Sequence, residues 1–154
     1  MPLNVVLMQP EIPQNTGNIS RTCVVTGSSL HIVKPMGFSL GERYLRRAGL
    51  DYWKYLNLSV HENTGDFFRY AGEKECWFFS SKAGIPFSEA RFSEDCFLVF
   101  GNETKGLPAE MLKAHGEHCL RIPMVGGQRC LNLSNAVCVA VYEALRQHGY
   151  RGLI

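Results

Sequence analysis

Apolar residues along this chain come in short blocks, separated by stretches rich in glycine, proline and polar side chains. Residues 3–8 (Leu-Asn-Val-Val-Leu-Met) form a brief apolar run stopped by Pro10 and Pro13, which predicts a buried strand. Residues 14–26 predict a helix ended by Gly27. Residues 30–33 predict a second strand closed by Pro35 and Gly37. A helical stretch follows over 41–48, then a strand over 58–61. Asn63 or Thr64 caps the next helix, which carries Phe67, Phe68 and Tyr70. The two most apolar strands are 76–79 and 96–100. Pro108 suits the opening of a helix through Leu112, and 119–122 predicts the last strand, before Pro123. The clearest element spans 131–147, where Leu133, Val137, Val141 and Leu145 recur at four-residue spacing beside Ala140 and Ala144.

Strands that are apolar nearly throughout, alternating with helices, predict an α/β fold: a mainly parallel sheet covered by helices on both faces. No repeat, linker or low-complexity segment interrupts the pattern, so residues 1–154 are expected to form one domain.

Composition narrows the class. Hydrophobic residues make up 45% and charged residues 19%, too apolar for a disordered chain. No run approaches the roughly 20 apolar residues needed to cross a bilayer. Met1-Pro2-Leu3-Asn4 lacks the basic region of a secretory leader, so a soluble cytoplasmic protein without membrane contact is expected. Six cysteines without a C-x-x-C pair, mostly inside apolar patterns, read as buried reduced thiols. His115, His118 and Cys119 lack the remainder of a metal site, and no metal is expected. A net charge of +2 neither requires nor excludes a nucleic-acid partner.

Three loops carry candidate chemistry, because ligands of parallel α/β sheets bind beyond the carboxyl ends of the strands. The first runs from Pro13 through Asn15 to Arg21. With Asn15 at the helix cap, both side chains reach one opening; the ordinary use of the pair is a cap and a solvated arginine. The second, Gly101-Asn102-Glu103-Thr104-Lys105-Gly106, has two glycines that let backbone approach a ligand closely, or serve an ordinary strand-to-helix turn. The third runs from Ile122 through Gly126, Gly127, Arg129, Cys130 and Leu131 to Asn132, Ser134 and Asn135, more polar residues than one cap requires. No P-loop, dinucleotide-binding glycine motif or nucleophile elbow is present. Residues 42–55 interleave Arg43, Arg46, Arg47 and Lys54 with Tyr44, Tyr52, Trp53 and Tyr55. That segment suits phosphate contact and base stacking, or an amphipathic face with solvated charges.

In their order, these loops, together with Lys34-Pro35-Met36-Gly37-Phe38, residues 45–52 and residues 141–147, resemble the SPOUT superfamily of methyltransferases over essentially the whole chain. Within it they are similar to the TrmH-like group and its small tRNA wobble-position 2′-O-methyltransferases. The resemblance implies a deep C-terminal trefoil knot, which general topology rules would disfavour, and a homodimer with active sites near the subunit interface. It implies transfer of a methyl group from S-adenosylmethionine, leaving S-adenosylhomocysteine, to the wobble cytidine or uridine (position 34) of a leucine tRNA. A non-catalytic RNA-binding module, or an enzyme acting on rRNA or another tRNA position, are the alternatives.

Carried over by position, the resemblance assigns the cofactor pocket to Phe79, Gly101, Ile122, Cys130 and Leu131, largely through backbone groups. Cys130 departs from the family's usual serine. The resemblance also places Arg21 on the reacting hydroxyl. A guanidinium stays protonated at neutral pH and is a poor base, so Arg21 is expected to orient the hydroxyl and stabilise developing alkoxide charge. Asn15 and Asn132 would shape the site, and Glu103 would order the second loop or hold Arg21. Arg46, Arg47 and Arg129 would contact tRNA phosphates.

Overall fold

In the computed structural model, residues 2–40 and 52–154 are described. The helix expected over 41–48, and with it Arg43, Arg46 and Arg47, lies outside them. The strands are β1 (Asn4–Met8), β2 (Ser29–Val33), β3 (Leu58–His61), β4 (Cys76–Phe79), β5 (Ile85–Pro86), β6 (Phe97–Phe100) and β7 (Cys119–Arg121). The described helices are α1 (Pro13–Thr26), α2 (Thr64–Ala71), α3 (Ala109–Ala114) and α4 (Leu133–Gln147). No helix among the described residues is long and apolar enough to cross a membrane.

The strands form one sheet in the order β3-β2-β1-β6-β4-β7-β5, and every strand pairing is parallel. Side chains alternate between its faces. Val5 and Leu7 point to one side, where Ile19 and Cys23 of α1 and Val137, Ala140, Val141 and Ala144 of α4 cover them. Val6 and Met8 point to the other, toward Phe67 and Ala71 of α2 and Met111 and Leu112 of α3. Burial on both faces explains why residues 5–8 of β1 and all of β6 read as unbroken apolar runs rather than alternating ones. Each fully buried Val or Leu there contributes roughly 1.5–3 kcal/mol.

Local chemistry sets the ends of the elements. Gly27 adopts the left-handed φ of 71° that ends α1, and the Gly27 and Ser28 N–H groups bond the carbonyls of Val24 and Cys23. The Asn63 side chain, rather than Thr64, caps α2 by accepting from the Asp66 N–H at 2.8 Å. The two-residue β5, too short to show a period, was not expected; its Pro86 is tolerated at the sheet edge. Inside α1, buried Ser20 and Thr26 donate to the carbonyls of Thr16 and Thr22, both at 2.7 Å, so a polar helix face packs without orphan hydroxyls at those positions.

The buried-thiol expectation holds for Cys23, Cys96 and Cys119; Cys76 and Cys138 are half-buried and Cys130 is exposed. All six are free thiols. Burial pushes the Cys23 thiol up to about 12.

Candidate active site

A cavity of about 700 Å³ opens at the carboxyl ends of β4, β6 and β7. Its floor is apolar. Phe79, at the end of β4, stacks on Phe100, at the end of β6, with ring centroids 4.7 Å apart and planes 15° from parallel. The strands force this juxtaposition, since Phe79 and Phe100 are register partners. Ile122 and Leu107 line the same space, while Leu133 and Ala136 bring in the first turn of α4.

The second loop forms one wall, and Gly101 dictates its shape. A Cβ at Gly101 would lie 2.1 Å from the carbonyl carbon of Gly106 and 2.2 Å from the Leu107 nitrogen, so no side chain fits there. Gly106, at φ 67°, turns the loop back, and its N–H bonds the Asn102 carbonyl at 3.1 Å. Asn102 Oδ1 closes the turn by accepting from the Thr104 and Lys105 N–H groups at 3.1 and 2.6 Å.

Two glutamates tie the first and second loops together. The Glu103 carboxylate accepts from the Glu11 N–H at 2.9 Å and the Ile12 N–H at 3.0 Å. In return the Glu11 carboxylate accepts from the Asn102 side chain at 3.1 Å and the Thr104 hydroxyl at 2.8 Å. Asn15 does not occupy the cap. That position belongs to Ile12, which has no side-chain acceptor, followed by Pro13 as the first helical residue. The first turn of α1 has no acid of its own, so Glu103 supplies the negative charge favoured at a helix start. Among the described residues Glu103 bonds the first loop and forms no ion pair with Arg21.

Asn15, now inside α1 and buried, joins the third loop to the other two. Its Oδ1 accepts from Asn132 Nδ2 at 3.1 Å, and its own amide reaches Glu103 Oε1 at 3.5 Å. Asn132 caps α4 at the same time, its Oδ1 accepting from the N–H and hydroxyl of Ser134 at 2.9 and 2.6 Å. Asn132 therefore both caps the helix and lines the cavity.

The structure thus brings Asn15, Glu103 and Asn132 into one hydrogen-bonded chain across three loops. Phe79, Gly101, Ile122, Cys130, Leu131 and Arg129 line the same cavity. Arg21 stands apart. It is exposed on α1, outside the cavity lining, with its guanidinium 4.8 Å from the Tyr52 ring centroid. Sequence reasoning missed Glu11 and Ile12, whose backbone carries the link. The only signal was Pro10-Glu11-Ile12-Pro13, two prolines that leave N–H groups free between them. His115 and His118 are engaged with Phe78 and Trp77, at 4.3 and 4.7 Å between ring centroids. Among the described residues no group of three or more His, Cys, Asp or Glu is placed to hold a metal ion.

The family profile described as SpoU rRNA Methylase matches residues 2–142, spanning every element up to the middle of α4. The chain belongs to the SpoU rRNA methylase family. Among its relatives, the tRNA (cytidine(34)-2'-O)-methyltransferase of Escherichia coli (strain K12) is 46% identical over 153 residues, 99% of this chain and 98% of that protein. A structure described as giving insight into 2-OH methylation of C/U34 on tRNA superposes with a TM-score of 0.92 at 45% identity, covering 97% of each chain. An AdoMet-bound rRNA methyltransferase from Sinorhizobium meliloti matches with a TM-score of 0.84 at 26% identity, covering 94% of this chain and 56% of that one. These SpoU relatives share the α/β fold expected from the sequence, with helices on both faces of a parallel sheet.

Proposed function

We propose that this chain is a tRNA 2′-O-methyltransferase that moves a methyl group from S-adenosylmethionine to the ribose 2′-hydroxyl of the wobble nucleotide, cytidine or uridine 34, of a leucine tRNA. The observation that carries this reading is the near-complete match, over 99% of the chain, to a relative of that named activity. The cavity at the strand ends supplies the place for the chemistry.

The cavity suits the donor. Its volume of about 700 Å³ falls within the roughly 300–1,000 Å³ typical of small-molecule sites. Stacked Phe79 and Phe100 offer an apolar surface to a nucleobase. The tight backbone at Gly101 and Gly106 presents main-chain groups where a side chain would fill the space. Phe79, Gly101, Ile122, Cys130 and Leu131 would hold it, mainly through backbone. A bound sulfonium supplies an activated methyl group.

The residues of the chain then position the acceptor. Methyl transfer needs in-line approach, so fixing the two partners supplies much of the acceleration. Asn15, Glu103 and Asn132 lock the three loops that fix the donor's surroundings. Arg21 binds the 2′-hydroxyl and a neighbouring phosphate and stabilises alkoxide charge as the proton leaves. Because Arg21 lies outside the cavity lining, that role requires bound RNA or a second subunit to bridge the outer side of α1 and the cavity. Arg46, Arg47 and Arg129 contact tRNA phosphates.

The enzyme works in the cytoplasm as a homodimer with a knotted C-terminal region. Support for a dimer comes from apolar side chains left uncovered on the α1–α4 layer: Val25 (54% exposed), Val139 (41%) and Tyr142 (42%). The decisive experiment incubates purified protein with methyl-labelled donor and bulk tRNA and maps the labelled ribose. Label at nucleotide 34 of leucine tRNA is the expected result. Donor binding without transfer to any RNA would reduce the chain to a binding module.

A further inference from the structure

Of the thirteen lysines and arginines among the described residues, five are paired with a carboxylate and eight are not, and three of those eight line the cavity. Lys34, Arg69, Lys74, Arg146 and Arg151 are each paired with a carboxylate. Lys82, Lys105 and Arg129 form no ion pair among the described residues, and all three line the cavity. The one carboxylate in that lining, Glu103, is spent on the Glu11 and Ile12 N–H groups, and nearby Glu11 on Asn102 and Thr104. The rim therefore presents unneutralised positive charge.

That charge does not suit the proposed donor as a whole. S-adenosylmethionine carries a sulfonium, an ammonium and one carboxylate, for a net positive charge. Three cations facing it are more than one carboxylate uses. Lys82 follows β4 and Lys105 follows β6, two strands adjacent in the sheet, so they rise from neighbouring loops at the same carboxyl end as the stacked Phe79–Phe100 pair. Both are exposed, with ammonium groups free to reach a polyanion.

We propose that Lys82 and Lys105 form a phosphate clamp at the cavity mouth, holding the RNA backbone beside the target nucleotide so that its ribose faces the donor. This rests on the RNA methyltransferase reading above. It adds two residues, neither of which that reading uses, to the RNA-binding surface.

The test uses full-length protein and bulk tRNA. Lys82→Ala and Lys105→Ala are compared with wild type and with Lys113→Ala, an unpaired exposed lysine on α3 outside the cavity lining. Binding is measured across a salt series, and donor affinity by calorimetry. Each cavity variant is expected to weaken tRNA binding roughly fivefold and to lower the slope of log affinity against log salt by about 0.7–0.9. Donor affinity and thermal midpoint should stay at wild-type values, Lys→Arg at either site should restore binding, and Lys113→Ala should change little. Three results would overturn the clamp: an unchanged salt slope in both variants, the same loss in Lys113→Ala, or a fall in donor affinity, which would assign the lysines to the donor carboxylate. Wild-type protein that binds no tRNA would remove the clamp and the functional reading together, whereas wild type active beside fully active variants would remove the clamp alone.

Discussion

At the scale of single residues, Gly101 makes the sharpest demand. A methyl group there would sit 2.1–2.6 Å from backbone atoms of Gly106 and Leu107, which cannot move aside like a flexible side chain. Gly101→Ala is expected to open the loop, abolish measurable donor binding in calorimetry and cost about 1–3 kcal/mol of stability. For a chain of this size that is a drop of several degrees in the thermal midpoint; unchanged donor affinity would show that the tight turn is irrelevant to the cavity. Arg21 makes a softer demand, since a lysine keeps the charge and loses the fork. Arg21→Lys should bind tRNA normally yet lose at least about tenfold in single-turnover methyl transfer, roughly 1.4 kcal/mol of transition-state stabilisation. Near-full turnover would disprove the role. The sequence signalled Asn15, Glu103 and Asn132 by placing polar residues in loops after apolar strands. It did not signal their connection, because Glu103 bonds backbone N–H groups, and backbone donors carry no residue identity.

At the scale of elements, the apolar periods located most strands and helices to within one or two residues. They missed β5 and misassigned the cap of α1, where the acceptor comes from Glu103 in another loop rather than from Asn15. Local spacing cannot show a cap supplied from 91 residues away. Nor did the periods signal the polar chain buried under α2. His31 on β2 bonds His61 on β3 through Nδ1 and Asn4 on β1 through Nε2, both at 3.1 Å, while the Asn4 amide donates to the Asp95 carbonyl at 2.9 Å. With Asn4 Oδ1 accepting from His31 Nε2–H, Nδ1 is left to accept from His61. This arrangement needs a neutral ring. Burial, with His61 beside it, pushes His31 down to about 4, and burial lowers His61 as well.

Below a pH of about 6.5 the unfolded chain takes up a proton that the folded His31 refuses, so stability falls with pH between about 6.5 and 4 and then levels off. The loss attributable to His31 is on the order of 2–3 kcal/mol. Denaturant unfolding of wild type against His31→Gln across that range checks it. The wild-type curve should fall more steeply, and parallel curves would mean the pair does not govern acid stability.

At the scale of the molecule, the class of sheet was legible but its strand order was not. Unbroken apolar strands announce burial on both faces, yet nothing in their spacing places β6 between β1 and β4, or β7 between β4 and β5. That order gathers the loops after β4, β6 and β7 around one cavity. Burial on α1 and α4 is likewise incomplete in a single copy, where Val25, Val139 and Tyr142 remain exposed. If a second copy covers this layer, a charge there must be desolvated on association, whereas in a monomer it would stay in water at little cost. Val139→Asp with Tyr142→Asp should therefore leave the fold intact by circular dichroism but shift sedimentation from dimer to monomer. Methyl transfer should fall with it, because Arg21 lies outside the cavity it is proposed to serve. Wild-type protein sedimenting as a monomer at micromolar concentration, and active there, would leave those side chains as ordinary surface and require Arg21 to reach the acceptor within one chain.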